Sequence, residues 1–86
     1  MTALMEVSLE HPKFYEGFAE KIQGHENVLS CDYLTGDFDF MLKIITDSSE
    51  TLERVHREIK SIAGVSSTRT FFVLKNVKNE YAAITE

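Results

Sequence analysis

The chain has 86 residues, 43% of them hydrophobic and 27% charged, with a formal net charge of −5. That is one domain with a modest core, and far from a disordered composition. Its scattered lysines and arginines lack the clustering that displaces counterions from phosphates, its lone Cys31 leaves no internal disulfide, and no apolar run approaches the roughly 20 residues that span a bilayer, so direct nucleic-acid binding, a secreted disulfide scaffold and a membrane span are all argued against.

In chain order, Ala3, Met5, Val7 and Leu9 share one parity, and Thr2, Glu6 and Ser8 hold the other together with Leu4. A period of two predicts a strand over residues 2–9. The same stretch is interrupted by Glu6 and has no basic start, so it does not read as a signal peptide. A soluble, reducing, cytoplasmic setting is expected.

Pro12 suits the first position of a helix, where a missing N–H costs nothing. Phe14, Phe18 and Ile22 follow at steps of four, flanked by Tyr15 and Ala19, and Gly24 offers a C-terminal cap. A second strand is predicted over 27–34 and a third over 38–46. The break at Thr35-Gly36-Asp37 reads as a turn, which makes the two strands an antiparallel hairpin.

Asp47 with Glu50 three residues on fits a capping box for a second helix. Leu52, Val55, Ile59 and Ile62 form its apolar stripe, Glu50–Arg54 and Glu53–Arg57 are favourable i,i+4 pairs, and Gly64 marks its end. A long final strand is predicted over 65–77. The domain is expected over 1–78, with 79–86 a tail. The order β-α-β-β-α-β predicts an α+β, ferredoxin-like fold: an antiparallel sheet with both helices on one face.

Two helices cover one sheet face, and the other should then be polar in a monomer. In the third strand Phe38, Phe40, Leu42 and Ile44 share a face, but Met41 and Ile45 lie on the other beside Asp39 and Lys43. In the last strand Phe72 and Leu74 point one way and Phe71, Val73 and Val77 the other. A second apolar face calls for a partner, most simply another copy sheet to sheet.

Catalytic chemistry finds little support. His11, His25 and His56 fall on different elements, and no HxxxH or CxxC spacing provides a metal site. Cys31 has no adjacent base and reads as a packing thiol; His56, beside the helix stripe, reads as structural. No catalytic residue, metal or cofactor is expected. Asp37 and Asp39 flank Phe38 and would project together from the start of the strand. Two readings stand side by side. A ligand's ammonium could relieve their repulsion while backbone N–H groups around Gly36 receive its carboxylate; or Asp37 caps the turn and Asp39 pairs with Lys43 or Arg69. The hydroxyl-rich run Ser66-Ser67-Thr68-Arg69-Thr70 could likewise contact a polar ligand or simply open a strand.

Three stretches taken together carry a resemblance: Val7-Ser8-Leu9, the run Cys31-Asp32-Tyr33-Leu34-Thr35-Gly36-Asp37-Phe38-Asp39-Phe40-Met41-Leu42, and Gly64-Val65-Ser66-Ser67-Thr68-Arg69-Thr70-Phe71-Phe72-Val73-Leu74. TGDFDF followed by GVxxTRTxxVL at this separation resembles the Lrp/AsnC effector domain, also called the RAM domain (regulation of amino-acid metabolism), over residues 3–77. The resemblance implies a ferredoxin-like domain that dimerises through its sheet and assembles into an octamer, with amino-acid effectors bound between dimers. It implies a ligand pocket of Tyr33, Leu34, Thr35, Gly36, Asp37 and Asp39, its far side supplied by Ser67, Thr68, Thr70 and Phe71 of a neighbouring subunit. Members of the family typically carry an N-terminal helix-turn-helix. This sequence leads from Met1 almost directly into the first strand, which favours a stand-alone sensor over a piece of a longer regulator. Any transcriptional role would then act through mixed assembly with full-length Lrp/AsnC regulators. The competing readings are an RNA-recognition domain, which shares the element order but not the acidic charge, and a small enzyme of the same fold.

Overall fold

A computed structural model of the chain describes residues 1–78; the predicted tail at 79–86 lies outside the described residues. The elements run β1 (Thr2–Leu9), a 3₁₀ turn (Pro12–Phe14), α1 (Tyr15–Gln23), β2 (Val28–Tyr33), β3 (Phe40–Ile45), α2 (Ser49–Lys60) and β4 (Val65–Phe72). All three strand pairings are antiparallel and the sheet order is β2-β3-β1-β4. The α+β, ferredoxin-like arrangement predicted from the element order is the observed one.

One parity of each central strand builds the core. Ala3, Met5 and Val7 from β1 and Phe40, Leu42 and Ile44 from β3 are buried against Phe18 and Ile22 of α1 and Leu52, Val55 and Ile59 of α2. Both helices therefore lie on the same sheet face. Burying side chains of this size contributes about 1.5–3 kcal/mol each, which is why the alternation fixes the register.

Several local expectations need correction. β3 begins at Phe40, so Phe38 is outside the strand and does not share the core face with Phe40. The hairpin connection spans residues 34–39, longer than a tight turn, and is closed by Leu34 N–H donating to the Asp39 carbonyl at 2.8 Å. Ser48, not Asp47, caps α2: its hydroxyl accepts from Thr51 N–H at 3.1 Å, and Asp47 instead accepts from the Thr51 hydroxyl at 2.9 Å. The capping role goes to whichever side chain meets the first free N–H groups from an extended backbone, and Ser48 holds that position. α2 stops at Lys60 and Ile62 lies beyond it; Gly64, at φ +93°, makes the turn into β4. Arg54 turns to Glu58 at 2.8 Å rather than to Glu50, because Glu58 is also engaged by His25 at 2.8 Å and so offers a fixed carboxylate. Glu53–Arg57 does form, at 3.7 Å. β4 ends at Phe72 instead of running to residue 77.

The opposite parity of the strands forms the uncovered face. By register it presents Leu4 and Glu6 from β1, Met41, Lys43 and Ile45 from β3, and Arg69 and Phe71 from β4. Ile45 and Phe71 are 44% and 46% exposed. Arg69 bridges Glu6 at 3.0 Å and lies over the Phe71 ring at 5.5 Å. The second apolar face expected from the sequence is present.

Candidate functional site

The residues expected to hold a ligand do not gather in one place. Six of them divide among three recesses, and Leu34, Thr35, Gly36 and Phe71 line none of these.

The first recess, of about 290 Å³, opens on the uncovered face and is lined by Glu6, Ser8, Asp37, Phe38, Ser67, Thr68 and Arg69. The hairpin connection and β4 flank opposite sides of β1, so Asp37 and Ser67 meet over Glu6 and Ser8 within a single chain. The expectation had set the Ser67 stretch across a subunit boundary from the hairpin. Here Phe38 finds its place, outside the helix-side core.

The second recess, about 90 Å³, lies at the closed end of the hairpin on the helix side, with Tyr15, Tyr33, His11 and Asp39 around it. The Asp39 carboxylate accepts from Leu9 N–H at 2.8 Å, while Asp39 N–H donates to the Val7 carbonyl at 2.9 Å. Asp39 thus binds the hairpin end to the end of β1, beside the irregularity between Ser8 and Leu9. It engages neither Lys43 nor Arg69; Arg69 bridges Glu6 instead. Asp37 and Asp39 line different recesses; alternation holds only inside a strand, and both residues precede Phe40. Tyr33 packs edge-on against Tyr15, 4.8 Å between centroids, and against Phe40 at 5.1 Å. Leu34, Thr35 and Gly36 are exposed in the connection, with Gly36 at φ +130°.

The third recess, about 260 Å³, lies between α2 and edge strand β4, lined by Ser49, Leu52, Glu53, His56, Thr70 and Phe72. Thr68 and Thr70 oppose Val7 and Met5, so both face the helices. His56 Nε2 lies 3.2 Å from the Thr68 hydroxyl. The Thr70 hydroxyl oxygen is buried and has no hydrogen-bond partner. Such a group costs about 1–3 kcal/mol unless something satisfies it. Phe72, on the same side, is the last residue of edge strand β4 and is 55% exposed. Phe71 lies on the other face of the sheet, away from this recess.

Sequence reasoning gave His56 a structural role and passed over Leu52, Glu53 and Phe72. Their only early signal was spacing: Leu52 and His56 are one helical turn apart, beside the stripe that packs on β4. Among the described residues no group of histidine, cysteine, aspartate or glutamate side chains could hold a metal ion, and no helix is long and apolar enough to cross a membrane. Cys31 is half-buried in β2; burial first, and the neighbouring Asp32 charge second, push its thiol up to about 11. It is a protonated packing group at neutral pH.

Comparison with known proteins places this arrangement. Residues 2–83 match the model of the Lrp/AsnC ligand binding domain. The chain is 31% identical over 81 residues to the leucine-responsive regulatory protein of Haemophilus influenzae, covering 91% of this chain and 49% of that protein. Among solved structures it resembles a Neisseria meningitidis transcriptional regulator in complex with L-methionine, at 32% identity and TM-score 0.80, over 93% of this chain and 53% of the other. It also resembles Escherichia coli AsnC, at 25% identity and TM-score 0.85, over 92% of this chain and 54% of that one. The chain spans about half the length of the curated relatives it matches. It belongs to the Lrp/AsnC ligand-binding domain family, whose members are regulators rather than enzymes.

Proposed function

We propose that this Lrp/AsnC domain binds an amino-acid effector at a site completed between chains, and that binding is coupled to oligomer assembly in the transcriptional control of amino-acid metabolism. The hairpin connection of one chain, with Tyr33 and Asp39, would face the Thr68–Thr70 stretch of another. The observation that carries this reading is the buried, unpartnered Thr70 hydroxyl in a recess of about 260 Å³ open to solvent at the sheet edge. Ligand sites usually enclose about 300–1,000 Å³. The recesses holding the expected residues reach at most about 290 Å³, and the hairpin and Thr70 contributions lie apart. A second wall from another chain supplies what each lacks. The relative solved with L-methionine supports an amino acid as the ligand.

The uncovered face is the natural dimer surface. Leu4, Met41, Ile45 and Phe71 form its apolar centre, and Glu6 and Arg69 neutralise each other within it. Assembly of such dimers into an octamer, and mixed assembly with full-length family regulators, follow the pattern that the family resemblance implies. With a net charge of −5 and no basic cluster, residues 1–86 are assigned ligand sensing and assembly and not nucleic-acid contact.

The test is mass by light scattering together with thermal shift across the twenty amino acids. A ligand at 100 times its Kd adds about 2.7 kcal/mol of stability. An oligomer stabilised by one or a few amino acids is the expected result. A monomer indifferent to all twenty overturns the reading.

A further inference from the structure

The recess between α2 and β4 is chemically two-ended. Leu52 and Phe72 supply an apolar wall, and His56 and Thr70 supply hydrogen-bonding atoms. Among the described residues the His56 ring has one hydrogen bond, between Nε2 and the Thr68 hydroxyl, at 3.2 Å. That bond holds the ring against β4, and in the tautomer in which Nε2 accepts from Thr68 the ring's other nitrogen, Nδ1, is a hydrogen-bond donor. Thr70, two residues beyond Thr68 on the same side of the strand, presents the one buried hydroxyl there without a partner. Glu53, across the mouth, is tied to Arg57 at 3.7 Å and is 74% exposed at its side chain, so it brings little net charge to the interior.

We propose that His56 is a specificity-determining residue of the effector site, and that this recess receives a ligand side chain that is uncharged, mainly apolar and ends in a hydrogen-bond acceptor, such as a thioether or an amide. The inference rests on the composite-site reading above and deepens it. A purely aliphatic side chain would fill the Leu52–Phe72 wall but leave the Thr70 hydroxyl unpaired. A carboxylate or ammonium would be stripped of water against that wall without a charged partner. An acceptor at the end of an apolar stem meets both halves, and a site built to hydrogen-bond discriminates against ligands that cannot.

The experiment is calorimetric titration of the whole chain with L-methionine, L-glutamine, L-leucine and L-norleucine, the last having methionine's shape without its sulfur. Wild-type protein is expected to prefer methionine or glutamine over norleucine. His56→Leu and Thr70→Val should each reduce that preference by about five-fold while leaving norleucine affinity within about two-fold. His56→Gln, which keeps a polar group at similar reach, should restore most of it. Uniform weakening toward all four ligands in His56→Leu, with no rescue by His56→Gln, makes His56 a structural residue and overturns the proposal. So does a preference that neither substitution changes in a protein that still binds. Wild-type protein that binds none of the four, nor any other amino acid, overturns the composite site and this inference with it.

Discussion

Asp39 offers a way to separate holding the fold from holding a ligand. Its carboxylate accepts from Leu9 N–H at 2.8 Å in a partly buried position where β1 loses its regular pairing with β4. Asp39→Ala leaves that N–H without its partner. A hydrogen bond to a charged group contributes about 1.5–3 kcal/mol, and partial exposure places this one near the lower end, at about 1.5–2 kcal/mol. For a domain of this size each kcal/mol moves Tm by about 4–8 °C, so a fall of about 6–16 °C is expected. Asp39→Asn keeps an acceptor oxygen but not the charge, and should recover more than half of that loss. The same Asn variant should bind an amino-acid effector more weakly if the charge faces the ligand's ammonium. The assay is thermal unfolding followed by circular dichroism at matched protein concentration, since oligomerisation makes Tm depend on it, paired with titration calorimetry. A fall below about 2 °C for Asp39→Ala would refute the structural half of the argument. Equal destabilisation by Ala and Asn would refute the claim that the oxygen, and not the charge, ties the hairpin to β1.

Further outcomes follow from other contacts. At Gly64 the φ of +93° and a Cβ that would stand 2.2 Å from Phe14 Cγ both oppose a side chain; Gly64→Ala should cost about 2–5 kcal/mol in urea unfolding, and adding Phe14→Ala should return at least about 1 kcal/mol relative to the sum of the two single changes. Additive losses would show that the ring does not set the limit. Cys31, raised to about 11 mainly by burial, should react with iodoacetamide about 100-fold more slowly in the native state than after unfolding, and Asp32→Asn should restore only a small part of that rate. The Glu58 carboxyl is held below its usual range first by the His25 hydrogen bond and then by Arg54. Its contribution is therefore present above the ordinary carboxyl value and lost as pH falls through the depressed one, so Glu58→Gln should flatten the acid limb of the stability profile below about pH 4.5. An unchanged limb would count against the pairing.

The alternation in β1 and the stripe on α2 were legible in the sequence because burial imposes them residue by residue: Ala3, Met5 and Val7, then Leu52, Val55 and Ile59, are the buried positions. The hairpin connection was less legible. Reading β3 from residue 38 set Phe38 on the face of Phe40 and aimed Asp37 and Asp39 together, and both errors come from applying a strand period two residues before the strand starts. The meeting of Asp37 with Ser67 depends on β1 lying between β3 and β4, a fact of topology that no local pattern carries. The recess of His56 and Thr70 was hidden for a different reason. A histidine beside a helix stripe and a threonine in a strand look ordinary until the helix is placed on the strand and the Thr70 hydroxyl is found without a partner.

The irregularity between Val28 and Ser30 in β2 has a bearing on how chains meet. β2 is an outer strand, and there Leu29 steps out of the ladder, 60% exposed. A foreign strand laid along that margin would lose step with the N–H and C=O groups it needs, because a bulge breaks their spacing. Runaway strand-to-strand growth along that margin is thereby obstructed in every newly made chain. The bulge at Leu29 thus acts as a gatekeeper on the β2 margin, turning edge-to-edge contacts there away from fibre growth.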